Sequence, residues 1–171
     1  RTTPHPSSAA SDVYKRQVIH NEDSNFTIDY REQAPLQATE KMFITDGSYD
    51  PELALESYQS SGTPGAVAGM YLAHQKFGSI EWKDLIQPSI DLARNGFIVT
   101  KTLEHALENN IEKLKKFEAT RKIFFKHGMT LRAGDRLIQK DLANTLELIA
   151  INGQDGFYRG RTAQLIEQDM F

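Results

Sequence analysis

The sequence contains no cysteine, little net charge and no long apolar run. Without cysteine in its 171 residues, the chain cannot form disulfides, thiolate nucleophiles or cysteine-ligated zinc sites. Its 20 basic and 23 acidic residues give a formal net charge of −3, which argues against a nucleic-acid partner. No stretch approaches the roughly 18 consecutive apolar residues of a membrane span. The hydrophobic content of 39% nevertheless predicts a modest core.

Both ends of the sequence predict a piece of a longer polypeptide. Residues 1–17 hold two prolines and clustered serine and threonine but no apolar period, so we expect a disordered tail there. The tail lacks the apolar core of a signal peptide, and part of it resembles translated adaptor sequence, so we expect it to be non-native. At the other end, the helical pattern continues to Phe171 without a stop signal. Residues 18–171 are therefore expected to be incomplete.

Alternation of apolar and polar residues predicts a β-hairpin over residues 18–31. Phe26, Ile28 and Tyr30 alternate with polar residues, which places one face of the second strand in a core. A hairpin alone is marginally stable in water, so strands from elsewhere should complete its sheet. Residues 45–51 are rich in Asp, Gly, Ser and Pro, and this composition predicts a surface loop.

Helical periodicity dominates from residue 63 onward. A first helix should open with a capping hydroxyl before Pro64 and end at Gly78. A second runs from Trp82 to a stop at Asn95-Gly96, with a kink or restart at Pro88. Three more are predicted at about 100–117, at about 140–151 and, as a short helix, from about 160. The expected fold class is α+β, mostly helical after an N-terminal β-hairpin.

Few residues combine into recognisable chemistry. The five histidines show no metal-ligand spacing, so we expect no metal site. Three glycines, Gly62, Gly65 and Gly69, stand at a helix start. Their free N–H groups could bind an anion, but they lack the lysine and spacing of a phosphate-binding loop, and close helix packing is the favoured interpretation.

Arg31 and Glu32 are the polar side chains with the most informative placement. Arg31 follows an alternating strand and precedes Ala34-Pro35, so its side chain leaves a rigid element where a loop begins. That placement suits two-pronged binding of a carboxylate, although composition alone favours a surface salt bridge. Glu32 could serve as a general acid or base, but a lone carboxylate beside arginine is more often part of an ion pair.

Four separated segments share the order and residue pattern of one known family. They are TIDYREQAP at 27–35, SGTPGAVAG at 61–69, WKDLIQPSIDLARNGFIV at 82–99 and GDRLIQKDLANTLELIAINGQDGFYRG at 134–160. Together they resemble the γ-glutamyltranspeptidase family over essentially the whole chain after Gln17. Lys140 stands where the family often has proline and Ser89 where alanine is usual, and neither departure touches the chemistry.

The resemblance implies an N-terminal nucleophile hydrolase with a four-layer αββα fold, of which this chain is a large-subunit fragment. Members are made as precursors that cut themselves into a large and a small subunit. The threonine exposed at the start of the small subunit attacks a γ-glutamyl amide, and the acyl group passes to water or to an amino acid or peptide. We expect that nucleophile to lie outside this chain, so none of its serines or threonines is predicted to be catalytic. The fragment alone is expected to be inactive.

The resemblance also implies one substrate-binding residue and two partners. The arginine of the family's D-Y/F-R-E motif, here Arg31, grips the α-carboxylate of the γ-glutamyl group. The implied partners are a γ-glutamyl substrate such as glutathione and the small subunit of the same precursor. No cofactor and no metal are expected. Family members are exported, which implies a periplasmic or extracellular location.

Two alternatives stay open. A cephalosporin or glutaryl acylase of the same superfamily has a similar large subunit, and its nucleophile and pocket sequence would distinguish it. A helical interaction module without chemistry would instead explain the absence of catalytic residues. That second alternative predicts a fragment that folds alone and ends at a natural boundary.

Overall fold

The computed structural model describes residues 16–21 and 24–170. They divide into two compact units. The first contains the residues up to Ser79 together with those from Phe157 onward, and the second contains Ile80–Gly156. The described residues are mostly helical and carry short two-stranded sheets, which confirms the predicted α+β class.

The predicted hairpin opens the first unit. Strands β1 (Arg16–Asn21) and β2 (Ser24–Asp29) pair in antiparallel register. Ile28 and Tyr30 are buried, as the alternation predicts, whereas Phe26 on the same face is 39% exposed. The ring of Phe26 lies 4.9 Å from that of Phe77, centroid to centroid. Among the described strands, β1 and β2 pair only with each other.

The hairpin begins earlier than predicted, inside the tail assigned to residues 1–17. Arg16 and Gln17 belong to β1 and pair with Asp29 and Ile28, so the prediction of disorder is wrong for these two residues. Most of β1 is exposed, so its pairing rests on backbone hydrogen bonds and on a cross-strand ion pair, and no apolar period announces it. Arg16 Nε lies 3.2 Å from Asp29 Oδ2. The rest of the predicted tail lies outside the described residues.

The segment predicted as a surface loop over 45–51 contains regular structure. Strands β3 (Ile44–Thr45) and β4 (Ser48–Tyr49) form a tight hairpin whose turn residues, Asp46 and Gly47, both have positive φ. Helix α1 (Pro51–Glu56) follows, and the Asp50 carboxylate accepts a hydrogen bond from the Leu53 N–H at 2.9 Å. Asp-Gly and Asp-Pro are signals for a hairpin turn and a helix start as much as for a loop.

Two longer helices complete the first unit. Helix α2 (Ala66–Phe77) ends at Gly78, as predicted. It begins at Ala66 with Gly65 at the cap position, so the predicted start with a capping hydroxyl and Pro64 is wrong. Thr63 is held instead by backbone pairing with Gln33. A 3₁₀ turn (Tyr58–Ser60) precedes this region. The predicted last helix is present near the end of the chain. It spans Gly160–Met170 and is the last helix of the first unit.

The second unit is built on two packed helices. Helix α3 (Trp82–Asn95) packs against the later helix at Lys140–Asn152. The Trp82 indole N–H donates to the Ile149 carbonyl at 2.9 Å. Helix α3 is one element, so of the predicted kink or restart at Pro88 the restart is wrong. Pro88 lies on the exposed side, where water can satisfy the carbonyl that loses its donor.

The helix predicted over 100–117 is interrupted at Asn110. It consists of α4 (Lys101–Asn109) and α5 (Ile111–Leu114). The Asn110 side-chain amide donates to the Ala106 carbonyl at 2.9 Å, and such local side-chain bonds compete with helix continuation. Thr100 caps α4 by accepting from the Leu103 N–H.

The remaining elements complete the second unit. Helix α6 (Glu118–Phe124) was not predicted, nor were the pairs β5 (Phe97–Ile98) with β8 (Arg136–Leu137) and β6 (Phe125–Lys126) with β7 (Met129–Thr130). Helix α7 (Lys140–Asn152) was predicted. It is followed by α8 (Asp155–Tyr158), in which the second unit ends, and by α9 (Gly160–Met170) of the first unit. Four buried side chains form a core cluster in this unit, namely Val99, Leu107, Leu131 and Leu137.

Candidate functional site

Arg31 leaves the end of β2, as the sequence predicts. Its backbone N–H donates to Asp29 Oδ1 at 3.1 Å, which closes a local turn. That hydrogen bond is the largest cause of the lowered pKa of Asp29, and the Arg16 side chain lowers it further. Between them, Tyr30 is only 8% exposed. The backbone that leads into Arg31 is therefore fixed by the buried Tyr30 ring and by the hydrogen bond to the Asp29 carboxylate.

The Arg31 side chain is accessible to solvent. It is 44% exposed, and its Nε lies 3.8 Å from Oε1 of Glu32, which is 28% exposed. This distance is that of an ion pair without a direct hydrogen bond, and such pairs near the surface contribute at most about 1 kcal/mol. The ion pair expected from the sequence is present but weak. Because the Arg31 side chain is exposed, an anionic ligand can approach the guanidinium from solvent.

The loop after Arg31 is tied to the segment before α2. Gln33 and Thr63 exchange two backbone hydrogen bonds, from Gln33 N to Thr63 O at 3.2 Å and from Thr63 N to Gln33 O at 2.8 Å. This bridge joins two motifs that are about thirty residues apart in the sequence. The segments at 27–35 and 61–69 therefore form one local structure around Arg31.

The three glycines of the second motif pack against the Arg31 segment. A Cβ at Gly62 would lie 2.7 Å from Glu32 Cγ, and one at Gly65 would meet the backbone carbonyls of Tyr30 and Arg31. A Cβ at Gly69 would overlap the Tyr30 ring. Close packing, the favoured prediction, is thus correct, but the partner is an extended segment and not a helix.

Tyr158 is the residue in this site that sequence reasoning missed. Its hydroxyl donates to the Pro64 carbonyl at 2.7 Å and accepts from the Ala68 N–H at 3.3 Å. An N–H in the first turn of α2 is therefore already bonded, which further disfavours an anion site there. Tyr158 lies 94 residues from Pro64 in the sequence, and its place in the fourth motif was the one sequence signal that could have pointed to it.

A largely apolar pocket of about 760 Å³ lies in the first unit, next to the bridge between Gln33 and Thr63. The side chains that line it in the described residues include no charged group. Its chemistry is that of a surface that packs or binds apolar groups, and Arg31 does not line it. The lining residues are Pro35, Leu36, Gln37, Ala38, Met42, Tyr58, Gln59, Ser61, Gly62, Thr63, Pro64, Ile166 and Met170.

The histidines do not assemble into a site in the described part of the chain. Within residues 16–21 and 24–170, no three His, Asp or Glu side chains are grouped so that they could hold a metal ion. His20 Nδ1 lies 3.0 Å from Asn25 Oδ1 within the hairpin. None of the helices described is both long and apolar enough for a membrane crossing. Arg31 and the residues that hold it are thus the candidate site.

Comparison with known proteins identifies the family. The model of the gamma-glutamyltranspeptidase family matches residues 7–171. The chain belongs to the γ-glutamyltranspeptidase family. The resemblance inferred from the four motifs is confirmed, and the N-terminal nucleophile hydrolase fold is confirmed with it. The family match begins within the predicted tail.

Individual relatives agree with this assignment. The glutathione hydrolase proenzyme of Escherichia coli K12 is 44% identical over 156 residues, which are 90% of this chain and 27% of that protein. The crystal structure of Helicobacter pylori γ-glutamyltranspeptidase superposes with a TM-score of 0.87 and 40% identity, covering 90% of this chain and 45% of that one. The chain thus spans about a quarter of the length of the curated relatives it matches.

A more distant structure shares the fold alone. Cephalosporin acylase from Bacillus halodurans superposes with a TM-score of 0.79 at 22% identity, over 88% of this chain and 29% of that one. The fold is therefore shared by the two enzyme classes considered from the sequence, while the identity favours the γ-glutamyltranspeptidases.

Proposed function

We propose that the complete protein transfers the γ-glutamyl group of glutathione or a related compound to water or to an amino acid or peptide. One observation carries this proposal. A solvent-accessible arginine stands on a rigid turn inside the D-Y-R-E motif of a chain that is 44% identical to a glutathione hydrolase proenzyme. This chain would supply part of the large subunit, and the nucleophile would come from the small subunit.

Arg31 would bind the α-carboxylate of the γ-glutamyl group. A guanidinium offers two parallel N–H donors that match the two oxygens of a carboxylate. The turn at Asp29 and the bridge from Gln33 to Thr63 fix the backbone on both sides of Arg31, so little conformational freedom is lost when the ligand binds. The Arg31 side chain is 44% exposed, so a ligand can approach it from solvent.

The proposed partners and location follow from the family. The E. coli relative is named a proenzyme, which supports a precursor that is processed into subunits. The small subunit from that precursor is thus the proposed protein partner, and a γ-glutamyl compound such as glutathione is the proposed substrate. A periplasmic or extracellular location is proposed because the family resemblance implies export.

The fold shared with cephalosporin acylase keeps a second candidate, the cephalosporin or glutaryl acylase considered from the sequence. The two functions differ in donor, because a glutaryl group keeps the terminal carboxylate of a γ-glutamyl group but lacks its α-amine. A site built to bind a charged group rejects an analogue without it, since its own polar groups are left unpaired.

The experiment compares kcat/KM of the complete protein for a γ-glutamyl anilide and for the matching glutaryl anilide. We expect a preference of at least about thirtyfold for the γ-glutamyl donor. The glutaryl donor lacks the α-ammonium, and the loss of its charge-assisted pair costs on the order of 2 kcal/mol or more. The opposite preference would establish the acylase. Turnover of neither donor would support the interaction module.

A further inference from the structure

We propose that Tyr158 is a positioning residue for Arg31, acting through the turn that leads into α2. This inference rests on the proposed binding of the α-carboxylate by Arg31. The Tyr158 hydroxyl bonds the Pro64 carbonyl at 2.7 Å and the Ala68 N–H at 3.3 Å. One side chain thus bonds Pro64, just before Gly65, and Ala68, in the first turn of α2.

That turn is in direct contact with the backbone of Arg31. Pro64 follows Thr63, which pairs in both directions with Gln33, two residues beyond Arg31. Gly65 packs so closely that a Cβ there would lie 3.2 Å from the Arg31 carbonyl oxygen. A shift of the turn is therefore passed to the backbone that carries the guanidinium, because close-packed atoms leave little room between them.

The hydroxyl can be separated from the rest of the side chain. The Tyr158 ring makes an edge-to-face contact with Phe157, with centroids 5.1 Å apart, and this contact does not need the oxygen. Tyr158→Phe thus removes the tie to the turn and keeps the ring packing. Bidentate binding depends on geometry, so a small displacement of Arg31 weakens its grip on a carboxylate more than it weakens contacts elsewhere on the donor.

The test uses two donors on the complete protein. They are a γ-glutamyl anilide and the same anilide with its α-carboxylate converted to an uncharged carboxamide. The ratio of kcat/KM for the acid donor to kcat/KM for the carboxamide donor measures how strongly the protein binds the carboxylate. We expect Tyr158→Phe to lower this ratio about three- to tenfold, the range for one lost hydrogen bond, mainly through KM of the acid donor. In an Arg31→Ala background it should change the ratio no further.

Two further variants make the result specific. Tyr49→Phe is the matched control, because Tyr49 is 61% exposed on β4, and the ratio should stay at its parent value. Gly65→Ala disturbs the same turn from the opposite side and should lower the ratio as Tyr158→Phe does.

Each outcome decides between the claims. Suppose that the parent protein strongly prefers the acid donor. If Tyr158→Phe then lowers kcat/KM equally for both donors, or for neither, the role of Tyr158 is overturned and that of Arg31 stands. A parent that does not prefer the acid donor would refute both the Arg31 assignment and the role of Tyr158 built on it. Only a selective loss that disappears in Arg31→Ala supports the positioning role.

Discussion

Gly69→Ala is a sensitive test of the packing between α2 and the Arg31 segment. In a helix interior, alanine is ordinarily more stable than glycine by about 1 kcal/mol. At Gly69, however, the new Cβ would overlap Cβ, Cγ and Cδ1 of Tyr30. These atoms lie at the root of a buried side chain, so the ring cannot swing away. Overpacking costs about 1 to 3 kcal/mol, and an overlap with three atoms at the root of a buried side chain falls at the upper end, about 2 to 3 kcal/mol. This cost exceeds the gain in helix propensity.

We therefore expect a net destabilisation of roughly 1 to 2 kcal/mol, or a melting temperature about 2 to 8 °C lower for a chain of this size. Thermal unfolding followed by circular dichroism measures it. The difference between Gln75→Ala and Gln75→Gly, at an exposed position of the same helix, supplies the propensity term without the overlap. If Gly69→Ala melts at or above the parent temperature, the packing against Tyr30 is not as described.

Two predictions concern the second unit. Ile90→Ala, at a position 2% exposed on α3, should lower the free energy of unfolding by about 2 to 5 kcal/mol. Leu92→Ala, at 56% exposure on the same helix, should lower it much less. Equal losses in the two variants would contradict the described core. The Arg94 side chain lowers the pKa of Glu147, so their pair stabilises the folded state above the ordinary glutamate pKa and is lost as pH falls through the lowered value. Glu147→Gln should thus reduce the melting temperature slightly at pH 7 and by less as the pH falls below about 4, and a difference that grows in acid would be evidence against the pair.

Helices were the part of the fold that the sequence predicted best. Their apolar stripes repeat over three or more turns, and glycines end them where expected, at Gly78, Gly96 and Gly153. The two-residue strands were missed because a period of two cannot be recognised in two residues. Phe97 pairs with Leu137 across forty positions, and such pairing depends on tertiary contacts alone.

The candidate site was predicted in part. The end of an alternating strand and a family motif both pointed to Arg31, and its function there stays a prediction. The residues that hold it were harder to find. Glycine spacing predicted close packing but could not name Tyr30 as the partner, and the Tyr158 hydroxyl reaches Pro64 through the fold, with no local signal in the sequence.

The most direct test of the central claim is kcat/KM of the complete protein for a γ-glutamyl anilide after Arg31→Lys. Lysine keeps the charge but lacks the planar fork, so a bidentate contact with the α-carboxylate is lost. Such a loss costs on the order of 2 to 5 kcal/mol, or about thirtyfold to several thousandfold, while the precursor should still cleave itself. Arg161→Lys, at an exposed position on α9, is the matched control and should keep the parent value. If Arg31→Lys matures normally and stays within about fivefold of the parent, the value of an exposed ion pair such as that with Glu32, then Arg31 does not bind the substrate carboxylate.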